Sequence, residues 1–255
     1  MYQIDYTCLS HIGKRRSSNQ DNYICAGRIL DSGEPGLFTF LEGTACSRDL
    51  PLFGVFDGMG GEYGGDQAAR IAAETAQSFT PHTHPMAELL ALCQRANDAI
   101  CDHVRRNRLP NMGTTAAMLL FHRRGITLCN VGDSRIFRLS DGRLQQISVD
   151  HVCDLGQPGK APLSQNLGIP KEEFLIEPHA LELSFRDGDR YLICSDGLTD
   201  MVSEEEIEST LNETPFSQAG ERLLQQALAG GGRDNVTILL LQTRKSGLLS
   251  GLRLK

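Results

Sequence analysis

The chain has 255 residues, with 25 Lys and Arg against 32 Asp and Glu and a formal net charge of -7. This acidic balance argues against a nucleic-acid partner, whose binding rests on cationic contacts to phosphate, yet bound cations can invert the field locally and admit a small phosphorylated ligand. The opening MYQIDYTCLS lacks the charged start and apolar core of a secretory leader, and no apolar run is long enough to span a bilayer. The eight cysteines include no CxxC pair, and Cys25, Cys129 and Cys194 lie in strand-like contexts, so they read as free buried thiols of a reducing compartment. The expected location is cytoplasmic.

In chain order, the first strong signal is LFGVFDGMGG, residues 52–61. Leu52, Phe53, Val55 and Phe56 suit a buried strand, which ends at the carboxylate Asp57 and then Gly58, Met59, Gly60 and Gly61. A carboxylate on the rim of an apolar layer needs a positive neighbour: a helix N-terminus, a basic side chain or a metal ion. Ala68, Ile71, Ala72, Thr75 and Phe79 then repeat at helical spacing. Leu89, Cys93, Ala96, Ile100 and Val104 do the same, with Pro85 in the first turn. TTAAMLLFH and ITLCNV flank Arg123-Arg124-Gly125, and RIFRLS and RLQQI flank the hairpin signal Asp141-Gly142. HALEL, YLICS and VTILLLQ read as further strands, Ser203 to Glu206 as a capping box, and Phe216, Ala219, Leu223 and Ala227 as the stripe of a last helix.

Strands joined by short turns, with helices in pairs, favour antiparallel sheets with segregated helices over a doubly wound parallel sheet. With no repeat or linker, residues 1–243 are expected to form one domain and 244–255 a basic tail. Residues 28–50 read as an extra hairpin or loop, and 151–170 as irregular.

The acid at a strand end recurs. Asp196 follows YLICS, Asp133 follows TLCNVG, Asp234 precedes NVTILLL, and Asp21 closes the polar turn SSNQD. Such acids are common turn formers. As a set of oxygen donors without Cys or His, they suit Mg²⁺ or Mn²⁺. Spacing alone does not make them converge.

Gly13-Lys14-Arg15-Arg16-Ser17-Ser18-Asn19-Gln20-Asp21, Asp57-Gly58-Met59-Gly60-Gly61, Gly113-Thr114-Thr115, Gly132-Asp133-Ser134-Arg135, Ser195-Asp196-Gly197 and Gly232-Arg233-Asp234-Asn235 occur in this order. In these motifs the chain, over residues 5–242, resembles the metal-dependent protein phosphatases (PPM, type 2C), the serine/threonine phosphatases of bacterial type. The resemblance implies an α+β fold, a four-layer αββα sandwich of two antiparallel sheets flanked by helices. It implies hydrolysis of phosphoserine and phosphothreonine by direct attack of a hydroxide bridging two Mn²⁺ or Mg²⁺ ions, without a covalent phosphoenzyme. Asp57 would bridge both ions, the Gly58 carbonyl would serve the second with Asp21 on that side, and Asp196 and Asp234 would hold the first. Asp133 with Asp196 would form a weaker third site, and Arg16 would grip the phosphate. The partners implied are phosphoproteins and a cognate Ser/Thr kinase, with no nucleic acid, no membrane span and a monomeric state.

Met59 stands where some members carry a proton-donating His, so water is the expected general acid. His151, in Asp150-His151-Val152, is expected to be structural, and His82 and His84 to lie in a solvated loop. The segment CDLGQPGKAP reads as a shortened flap, leaving a site that reads mainly the phosphate. A non-catalytic binding module on the same fold is the alternative. Loss of a metal carboxylate would favour it, and none is missing.

Overall fold

The computed structural model describes residues 2–30, 38–59, 64–153 and 161–246. In chain order the strands are β1 (Tyr2–His11), β2 (Asp21–Cys25), β3 (Phe38–Cys46), β4 (Leu52–Met59), β5 (Gly113–Thr114), β6 (Ala116–His122), β7 (Gly125–Val131), β8 (Arg135–Ser140), β9 (Arg143–Gln146), β10 (His179–Leu183), β11 (Arg190–Cys194) and β12 (Val236–Lys245). The helices are α1 (Gly65–Gln77), α2 (Pro85–Asn107), the single turn α3 (Asp196–Thr199), α4 (Glu204–Glu213) and α5 (Phe216–Ala229). One sheet runs β3-β1-β12-β11-β8-β9. The other runs β10-β7-β6-β4-β2, with β5 added beside β4.

Period-2 alternation builds the layers. In β6, Ala116, Met118 and Leu120 face α1 and α2, while Ala117, Leu119 and Phe121 face the other sheet. In β12, Ile238 and Leu240 pack under α4 and α5, while Leu239 and Leu241 face inward. Strands buried on both faces read as continuous apolar runs for this reason. Phe121 sits at the centre of the inter-sheet core, edge-on to Phe53 at 5.8 Å and to Tyr191 at 5.7 Å between ring centroids.

Local chemistry sets the element ends. Pro85 occupies the first turn of α2, and the Glu88 carboxylate accepts from the backbone N–H groups of His82, Thr83 and His84. His82 and His84 thus belong to an exposed helix-entry loop, as expected. Ser203 and Glu206 form a reciprocal capping box on α4. Asp141 and Gly142 both have positive φ, as a two-residue hairpin between β8 and β9 requires.

Some expectations change. The chain start, read only as lacking a leader, is a ten-residue strand in the interior of a sheet, between β3 and β12. Residues 28–50 contribute β3, a sheet edge, rather than a separate hairpin. Strand β12 continues through Arg244 and Lys245, so the first residues assigned to the tail pair with β1, and residues 247–255 lie outside the described residues. All eight cysteines are free thiols. No helix among the described residues is long and apolar enough to cross a membrane.

Phe121→Ala removes the ring shared by Phe53 and Tyr191. It should cost about 3–5 kcal/mol, read as a lower urea midpoint at unchanged slope.

Candidate active site

Asp57 lies near the end of β4, in register with Asp21 of β2. Both continue the inward-facing row that holds Tyr23 and Val55, so two carboxylates meet on one face where the sandwich opens. The Asp57 backbone is clamped. Its N–H donates to Thr115 Oγ1 at 3.0 Å, and its carbonyl accepts from Thr114 Oγ1 and from the Thr115 N–H, each at 2.9 Å. Thr115 Oγ1 in turn meets Ser134 Oγ at 2.7 Å.

Asp21 lies behind Asp57, fully buried. Its Oδ2 accepts from Ser195 Oγ and Thr237 Oγ1, both at 2.8 Å, so hydroxyls of one sheet hold a carboxylate of the other. Burial pushes the Asp21 carboxyl up to about 6, against those hydroxyl hydrogen bonds, which favour its ionised form. Ser10 Oγ contacts Thr237 Oγ1 at 2.9 Å and extends the chain of hydroxyls.

In front of Asp57 a cleft of about 370 Å³ is lined by Arg16, Asp57, Gly58, Asp133, Asp196 and Asp234. They come from the loop after β1, the end of β4, the β7–β8 loop, the start of α3 and the turn before β12. Asp196 is thus the first residue of a helix, not the last of a strand. Asp21 is absent from the cleft wall. Arg16 Nη2 donates to Asp234 Oδ2 at 2.5 Å, and this bond, with the fields of Asp57 and Asp21, raises the guanidinium pKa. Among the described residues no three His, Cys, Asp or Glu side chains form a closed metal cage. The acids share one cleft, and Asp234 is turned to Arg16.

Two glycines are fixed by close approach. A Cβ on Gly58 would lie 2.1 Å from the Gly65 carbonyl oxygen, and one on Gly13 would lie 2.1 Å from that of Asp234. The first keeps the β4 backbone against the start of α1, and the second seats the Arg16 loop on the Asp234 turn. Asn235 completes that seat. Its Nδ2 donates to the Ile12 and Ser18 carbonyls, and its Oδ1 accepts from the Gln20 N–H. Sequence reading assigned Asn235, Ser195, Thr237, Thr114 and Thr115 no task. Thr237 apart, their signal was membership of the ordered motifs, which does not name a partner, since the contacts join segments far apart in the chain.

His151 is structural, as expected: Nδ1 accepts from the Gly132 N–H at 3.1 Å, and its own N–H returns to the Gly132 carbonyl at 3.0 Å. It holds the loop that carries Asp133, and burial lowers its pKa. Of the expected short flap, residues 154–160 lie outside the described residues; its base is closed by a bridge between Val152 and Leu163. A larger cavity of about 490 Å³ at the far end of β6, with Arg48, Arg123, Arg124 and Glu182 on its wall, carries no comparable acid cluster.

Residues 44–231 match the Protein phosphatase 2C family. The chain is 34% identical over 249 residues to the serine/threonine protein phosphatase PstP of Mycobacterium tuberculosis, covering 92% of this chain and 44% of that protein. It therefore spans less than half the length of that relative. It is 30% identical over 212 residues to the serine/threonine phosphatase stp of Listeria welshimeri, covering 75% of this chain and 84% of the other. The catalytic domain of PstP, solved with two manganese ions, superposes with a TM-score of 0.78 at 29% identity, over 96% of this chain and all of that domain. The matched span encloses Asp57, Asp133 and Asp196, and the shared fold is the two-sheet sandwich whose mouth they line; the chain belongs to the protein phosphatase 2C family.

Proposed function

We propose that the protein is a metal-dependent serine/threonine phosphatase that hydrolyses phosphoserine and phosphothreonine in proteins. One observation carries this reading: Asp57, Asp133, Asp196, Asp234 and Gly58 line a single cleft with one arginine. The donor set fits hard divalent cations, being carboxylates and a backbone carbonyl without Cys or His. The Arg16 guanidinium on Asp234 supports the fit, because a cation already neutralises one member of the set. Asp57 and the Gly58 carbonyl would hold one Mn²⁺ or Mg²⁺ ion, and Asp57, Asp196 and Asp234 another. Asp133 with Asp196 would offer a third, weaker site. Asp21, out of the cleft, would act from behind by fixing Asp57's side of the sheet. When bound, such ions supply charge neutralisation at the phosphoryl group and activate water for attack on phosphorus.

The remaining work falls to the chain's own residues. Arg16, about half exposed, is free to leave Asp234 and present its planar fork to two phosphate oxygens. The clamped backbone of Asp57 keeps the acid in place as charge changes around it. Met59 on the cleft wall carries no titratable proton, so the departing alkoxide takes its proton from water. The proposal extends to a cytoplasmic, monomeric signalling enzyme that opposes a Ser/Thr kinase. Eight free thiols support the reducing compartment, and the names of the relatives support the phosphoprotein substrates.

The purified protein should hydrolyse an aryl phosphate with Mn²⁺ or Mg²⁺ and fall silent in chelator. Asp57→Asn should lose at least ~10²-fold in kcat and release less heat on Mn²⁺ titration, since it removes a ligand shared by both ions. Turnover that survives chelation would overturn the reading.

Arg16→Ala should raise KM and lower kcat together, with Arg16→Lys recovering only part, because a point charge does not reproduce the fork. Met59→Ala should leave aryl phosphate kcat nearly unchanged. Wild-type constants for both Arg16 variants would return that side chain to the solvated surface.

A further inference from the structure

Beside the catalytic cleft lies a second pocket, of about 280 Å³, whose wall includes Met59, Asn111, Met112, Ile169, Pro170 and Glu173. Met59 also lines the cleft, so the two cavities adjoin at one side chain. The register of β4 with β5 pairs Gly58 with Thr114 and Met59 with Gly113. The second pocket therefore begins one residue beyond the pair at Gly58 and runs on to Asn111. Two or three residues of an extended chain, at ~3.3 Å each, span that distance.

The wall is built rather than incidental. Thr114 and Leu167 exchange backbone hydrogen bonds at 3.1 and 2.9 Å. Buried Asn97 of α2 accepts from the Gly168 and Ile169 N–H groups and donates to the Ile169 carbonyl. A single buried amide thus holds the Ile169–Pro170 corner against β5. The chemistry of the lining is divided: two thioethers, an isoleucine and a proline form an apolar surface beside Asn111 and Asn166, and among the described residues Glu173 is the charged group on the wall. Apolar walls with one carboxylate suit a long side chain that lays methylenes along the surface and ends in a cation.

We propose that this pocket receives an arginine or lysine side chain two or three residues from the phosphorylated Ser or Thr, with its stem on Met59 and Met112 and its cation against Glu173. The proposal rests on the phosphatase reading above and names the substrates that reading favours: phosphorylated segments with a nearby basic residue. It assigns sequence selectivity to a fixed corner of the fold, where a shortened flap alone implies none.

The test uses the full chain with Mn²⁺ and a panel of phosphothreonine peptides in which Arg, Leu or Glu is placed in turn at each of three positions on either side. At one position Arg should exceed Glu by about tenfold in kcat/KM, with Leu between them, and high salt should compress the gap. Glu173→Gln should reduce it to about twofold and Glu173→Lys should reverse it. Glu173 is exposed, so neither change threatens the fold, and aryl phosphate turnover should stay within about twofold in both. An Arg preference that persists in Glu173→Gln, Leu surpassing Arg at that position, or no positional preference would each overturn the proposal. Loss of metal-dependent aryl phosphate turnover in the unmodified chain would overturn the phosphatase reading itself.

Discussion

The buried carboxylate of Asp21 is hydrogen-bonded by Ser195 and Thr237, and through it the two sheets meet by directional contacts rather than by apolar packing alone. Apolar burial drives the sheets together but is indifferent to small slides. Hydrogen bonds to an ionisable group are worth about 1.5–3 kcal/mol each and fail when geometry drifts. Asp21 pairs in register with Asp57, and Thr237, near the start of β12, closely follows Asp234 and Asn235 of the preceding turn. A slide at this joint would therefore separate the acids of one sheet from those of the other. Much of the cleft depends on it.

Around that joint, chain segments distant in sequence are locked by short polar contacts. Asn235 binds the loop of residues 12–20 to the start of β12, and Thr114, Thr115 and Ser134 hold the end of β4. Gly13 and Gly58 allow backbones to approach more closely than any side chain permits. Framework and acids thus have different freedoms. The backbone is pinned, while side chains such as Arg16 and Asp234 sit partly exposed at the mouth and are able to exchange partners.

The electrostatics of the cleft follow from this arrangement. Four aspartates on one wall repel one another, and water at an open mouth moderates that repulsion. Arg16 neutralises one of them directly. A site of this kind gains most from small, highly charged cations. The pocket beyond Met59 places a further carboxylate, Glu173, near this acidic mouth.

The sequence by itself determined the local pieces. Helical stripes located α1, α2 and α5, Ser203 and Glu206 marked the start of α4, and Asp141-Gly142 set a hairpin. Those signals reside in period, capping and turn chemistry, which act within a few residues. The ordered motifs also carried the family and its sandwich. Tertiary structure alone decided what depends on pairing at long range. It made Tyr2–His11 an interior strand, although its alternation is blurred by Asp5, Thr7 and Ser10. It buried Asp21 on the Ser195 and Thr237 hydroxyls and set Asp133, Asp196 and Asp234 on the cleft wall, a difference fixed by contacts that join the two sheets. It gave Asn97 and Asn235 their anchoring tasks, because the carbonyls and N–H groups they bind lie 71 to 72 and 215 to 223 residues away. A polar side chain carries no local record of a partner that only folding brings within reach.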